Sequence, residues 1–245
     1  MAMHTLSEAL RLRLALLFVL AGVALVLMTL WLREFNFGAA ELKFIADFGL
    51  GAIGLLGMLL AALATVQLHF DDLETGFAAC VLAKALRRGE YLAGRLLGIS
   101  ALLALFVVFL ALVLGVMIGA RELQLGATLA PLPVFLQSCA LVWMKVTLVA
   151  AMTLLVCSYA GSALFASCSG LMLTAIAHLR VFADGTSWLG WVRCWPDLSV
   201  FDVDPLLSSG HGLTLTGLAS LGAYWSVYMS LFAALASYVF KHREL

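Results

Sequence analysis

Six apolar runs, separated by short polar breaks, organise the 245-residue chain: about 14–32, 48–68, 97–119, 134–157, 162–182 and 216–240. Crossing the hydrocarbon core as a helix takes roughly 20 predominantly apolar residues, and each run reaches that length. The fourth and fifth are divided only by the turn Ser158-Tyr159-Ala160-Gly161. A membrane β-barrel would instead show segments of about ten residues with alternating polarity. The pattern therefore predicts an all-α integral membrane protein with six transmembrane helices in one domain spanning residues 1–245.

Between the runs the polar positions are also patterned. In residues 1–13, Leu6 and Leu10 continue to Leu14 at helical spacing, with Glu8, Arg11 and Arg13 off that stripe. This predicts either an N-terminal interfacial helix lying along the membrane or a solvated tail. Leu14–Leu32 is too long for the apolar part of a signal peptide, and no small-x-small site closes it, so it reads as a retained anchor. Gly49, Gly51, Gly54, Gly57 and Ala61 line the second run. Small residues let helices approach closely, here within one subunit or, alternatively, between subunits. Residues 183–215 hold Trp188, Trp191 and Trp195. Aromatic rings favour the headgroup region, which predicts short re-entrant or interfacial helices before the last span. Trp195, Pro196 and Phe201 are candidates for an outer gate there.

Composition agrees with the runs. The chain is 64% hydrophobic and only 11% charged, against about 25% charged in soluble domains, and its mean hydropathy is +1.09. Net charge is zero, so no bulk basic signal points to nucleic acid. Lys and Arg set orientation. Arg11, Arg13, Lys84, Arg87, Arg88, Arg95, Lys241 and Arg243 fall on one side, and Arg33, Lys43, Arg121, Arg180 and Arg193 on the other. Eight against five predicts a multi-pass protein of the inner (plasma) membrane, with both termini and residues 69–95 cytoplasmic.

No phosphate loop, HExxH, GxSxG or dinucleotide fingerprint occurs, so no catalytic residue is assigned. The five cysteines are scattered, and no Cys/His spacing indicates zinc. Lys145 falls mid-span in LVWMKVTLV, where a charge costs roughly 2.5–3.5 kcal/mol on insertion scales. It is a candidate for the translocation path, facing a wet cavity, carbonyl groups or an anionic ligand; snorkelling to the interface is the alternative. His178 and His211 lie toward the outer side, near Cys194, at separations that match no ligand spacing. An intramembrane enzyme or haem- or metal-handling protein using them with Lys145 is a second reading. A membrane anchor that recruits a soluble partner without moving solute is a third.

The longest charged interruption is Asp71–Leu97, DDLETGFAACVLAKALRRGEYLAGRLL. Asp71 or Asp72 can cap a helix start, and Lys84, Arg87 and Arg88 share one helical face. Phe77 and Val81 form an apolar stripe, and Gly89 marks a break before the third span. Such an element suits anionic headgroups or a soluble docking partner.

Glu74, Gly76, Cys80-Val81-Leu82, Arg88, Glu90-Tyr91-Leu92 and Gly94-Arg95 together resemble the cytoplasmic loop of ABC-2-type transporter permeases. That family usually has Thr where Phe77 stands and Pro where Ala85 stands. Pro196-Asp197-Leu198 with Phe201 resembles its outer-segment motif, and Phe240-Lys241-His242-Arg243-Glu244-Leu245 its tail. The resemblance implies a permease domain that pairs with a second permease and two ATP-binding subunits. ATP and Mg would be bound by those partner chains, with no cofactor in this one. A coupling helix within residues 71–92 would dock on the ATPase through Asp71, Asp72, Glu74, Gly76, Phe77, Val81, Lys84, Arg87, Arg88, Glu90 and Tyr91.

Overall fold

The computed structural model describes residues 2–11, 13–31, 41–76, 88–126, 131–179, 195–203 and 212–241. Among these residues all regular structure is helical: α1 (Ala2–Arg11), α2 (Arg13–Trp31), α3 (Glu41–Glu74), α4 (Arg88–Leu125), α5 (Leu132–Tyr159), α6 (Ala163–His178), a 3-10 turn (Ser199–Phe201) and α7 (Leu215–Lys241). Four of them, α3, α4, α5 and α7, are long and apolar enough to cross a membrane, and a fifth crossing results if α1 and α2 count as one bent span. Among the described residues, the fifth expected run forms the 16-residue α6. At 1.5 Å per residue it covers about 24 Å, short of a hydrocarbon core of about 30 Å.

The long helices overrun their apolar runs. α3 has 34 residues and α4 has 38, or about 51 and 57 Å. They run antiparallel, with an ion pair at each end: Arg121 to Glu41 at 2.7 Å, and Arg95 to Asp72 at 3.0 Å. Gly76, at φ +69°, and Gly126, at φ +64°, follow α3 and α4 respectively. A left-handed residue is a common way to end a helix, and glycine adopts it without a Cβ clash. α5 packs against α3, α4, α6 and α7, and 72% of its most apolar stretch is buried against 6% for α7. α5 is therefore the central helix and α7 lies at the periphery.

The glycines of α3 divide by role. A Cβ at Gly49 would fall 2.5 Å from Leu114, and one at Gly57 would fall 2.8 Å from Val146. These two bring α4 and α5 into contact within one subunit. Gly51 and Gly54 have no atom within 4 Å of a Cβ position, because they border a cavity described below.

Two local expectations, at Asp71/Asp72 and at Gly89, are corrected. Asp71 and Asp72 do not cap a helix start; they occupy the last turn of α3. Carboxylates are unfavourable at a helix C-terminus, and Asp72 is compensated there by Arg95. Gly89 is not a break, since α4 runs through it. It stands in the first turn, where amides have no helical acceptor to lose, and a Cβ there would lie 3.7 Å from Ser237. In α1 the buried residues are Thr5 and Ala9, whereas Leu10 is 56% exposed. Small side chains let α1 lie close against α4, its main contact.

Candidate functional sites at the two ends of the bundle

At the loop-bearing end, three helices converge on two residues of α4. Arg95 is 2% exposed. It pairs with Asp72 of α3 at 3.0 Å and with Glu8 of α1 at 3.2 Å, and donates to the Leu68 carbonyl. One turn earlier, the Tyr91 hydroxyl donates to Asp72. The Tyr91 ring stacks on Phe240 of α7, with centroids 6.1 Å apart, and Phe240 meets His69 edge-on at 5.9 Å. Tyr91, His69 and Phe240 are all buried. Both ends of the expected docking loop are thereby tied to each other and to both terminal helices.

Of the expected docking residues, Asp72 and Tyr91 are in contact, while Asp71, Glu74 and Glu90 are exposed at the helix ends. Arg88 begins α4. Phe77, Val81, Lys84 and Arg87 lie outside the described residues. Arg95 and Glu8 were absent from the expected set. Arg95 reads in sequence as one more basic loop residue, and its burial follows only from the pairing of α3 with α4.

Toward the other end, a cavity of about 240 Å³ opens between α3, α5, α6 and the segment 195–203. Leu50, Gly51 and Gly54 form its α3 wall, and Asp47, Lys145, His178 and Asp202 supply its polar lining. The absence of side chains at Gly51 and Gly54 leaves room on that wall. Lys145 Nζ donates to Asp202 Oδ1 at 2.6 Å. The pair is unequally exposed: the Lys145 side chain is 9% exposed and that of Asp202 is 38%. Removing the partner of a buried charge costs about 3–5 kcal/mol, a penalty that falls more heavily on Lys145 than on the more exposed Asp202.

The segment carrying Asp202 lies over this cavity and is held on three sides. Leu198 N–H donates to the Ala177 carbonyl of α6 at 3.3 Å, and Asp197 N–H donates to the Tyr224 hydroxyl of α7 at 2.8 Å. Lys145 provides the α5 contact. Phe201 is fully buried, lines the cavity and packs on Tyr224 at 6.0 Å. Trp195 packs on Phe232 at 5.7 Å, and Pro196 is buried. Of the three expected gate residues, only Phe201 reaches the cavity; Trp195 and Pro196 are not among its lining.

Asp202 went unnoticed in the sequence, although it is a carboxylate beside Phe201 in a largely apolar stretch. His178 lines the cavity, while His211 and Cys194 lie outside the described residues. Among the described residues, no three His, Cys, Asp or Glu side chains are placed to hold a metal ion.

No family model and no curated protein matches the chain. Its helices are those of a membrane protein, and the function must be argued from the two sites themselves.

Proposed function

We propose that the chain is the membrane-spanning permease subunit of an ABC-2-type transporter, acting as an exporter. Two separate ATPase subunits bind ATP and Mg, dock on the loop between α3 and α4, and drive a dimer of permeases between inward- and outward-facing states. In this reading the chain crosses the membrane six times, with both termini and the loop in the cytoplasm of an inner-membrane protein.

One observation carries this reading: the Asp72–Arg95–Tyr91 cluster that closes the base of the loop. A docking loop transmits force only if its ends are fixed to the helices it must move. Here the residues of the Glu90-Tyr91-Leu92 and Gly94-Arg95 motifs supply that fixation. α3 and α4 each exceed the roughly 30 Å hydrocarbon core by about 20 Å or more, a length that supports a loop held outside the lipid.

The test is co-purification. A neighbouring reading frame with a Walker A motif and an ABC signature identifies the ATPase to co-express. Arg88→Glu combined with Glu90→Arg should release that ATPase while the subunit still inserts. Unchanged recovery of the complex would remove the docking role.

A further inference from the structure

We infer that the cavity beside Lys145 binds a monoanionic oxygen ligand, a carboxylate or a phosphodiester, which takes the place of Asp202 on the Lys145 ammonium. An ammonium has three donors, and Asp202 is the acceptor that Lys145 meets among the described residues. The remaining donors have a cavity of about 240 Å³ beside them, room for a small headgroup or solute.

The unequal exposure of the pair points to the sign of the ligand. A cationic ligand held by Asp202 would have to draw it away from Lys145 and leave a nine-tenths buried ammonium unpaired. An anionic ligand leaves Lys145 paired and frees only Asp202, the more exposed of the two at 38%. A buried ammonium tolerates exchange of its counter-ion far better than loss of it. Asp47 and Asp202 both line the cavity, so a second negative charge on the ligand would be repelled. This favours a monoanion over a dianionic phosphate. The apolar lining from Leu50, Leu55, Met58, Val142 and Val203 accommodates the carbon skeleton beside the charged group.

The exchange also has a mechanical consequence. Asp202 is the one charged tie between α5 and the 195–203 segment among the described residues. A ligand that replaces it loosens the segment over its own site. This purpose rests on the transport reading, but the binding does not.

The test is chemical rescue on the purified full-length chain without any ATPase, so its outcome is independent of co-purification. Asp202→Ala should melt at a lower temperature than wild type. Sodium propionate or dimethyl phosphate should restore its melting temperature, whereas equimolar sodium chloride, choline chloride or inorganic phosphate at pH 8.5 should not. The same two probes should bind Asp202→Ala more tightly than wild type, by roughly tenfold for a regained charge-assisted hydrogen bond. Lys145→Gln should lose binding by a similar factor, and Lys145→Arg should keep it. Short-chain phosphatidylglycerol binding well above dimethyl phosphate would make the ligand a lipid headgroup; equal binding would make it a free solute. Rescue by chloride alone, rescue by choline, or no rescue by either oxyanion would overturn the proposal.

Discussion

Asp72 and Arg95 meet at 3.0 Å with side chains only 2–4% exposed, although 22 residues intervene between them in the chain. Each would be a costly isolated charge at that depth. Arg95→Met should therefore destabilise the protein by about 3–5 kcal/mol, because it strands a buried carboxylate. Adding Asp72→Asn should recover a large part of that loss. A thermal-denaturation double-mutant cycle in detergent measures the coupling, and additive losses would show that the two charges do not depend on one another.

Glu8 offers the opposite case. It is more than a third exposed and touches Arg95 from α1, so its removal should change global stability little. The expected effect of Glu8→Gln is local: faster amide exchange across residues 2–11, with α3 and α4 unchanged. Equal exchange in variant and wild type would mean that the Thr5 and Ala9 packing alone holds α1 in place.

The close approaches of α3 give a steric prediction. At Gly57 an added methyl would lie 2.8 Å from a Val146 methyl, on a β-branched side chain with little rotamer freedom. Gly57→Ala should cost about 1–3 kcal/mol and be relieved by Val146→Ala. Gly222→Ala, with no atom within 4 Å of its Cβ position, should be tolerated. Comparing the three melting temperatures checks both statements.

What the sequence revealed depended on the range of the interaction. Hydropathy located the helices, because burial in lipid acts on each run separately, although among the described residues four helices, or five with α1 and α2 as one bent span, are long and apolar enough to cross. The glycines of α3 were recognisable as contact points, but hydropathy does not distinguish Gly57, against Val146, from Gly51, beside the cavity; that depends on which neighbour crosses at each level. Lys145 could be singled out by its cost in a span. Its partner could not, since Asp202 lies 57 positions away in a segment without periodicity. Arg95 was hidden for a related reason: a basic residue beside a charged loop looks solvated until α3 returns alongside α4.

Phe240 provides the last test, because it joins the C-terminal helix to the loop. It is fully buried between Tyr91 and His69, whereas Tyr238, two positions earlier on the same helix, is 65% exposed. Phe240→Ala should cost about 3 kcal/mol through the packing it vacates, and Tyr238→Ala should cost little. If α7 senses the loop through this contact, Phe240→Ala should also lower ATP turnover in the assembled complex, leaving ATPase recovery in co-purification unchanged. A stability loss with full turnover would confine Phe240 to packing, and the route from loop to spans would then run through Asp72 and Arg95 alone.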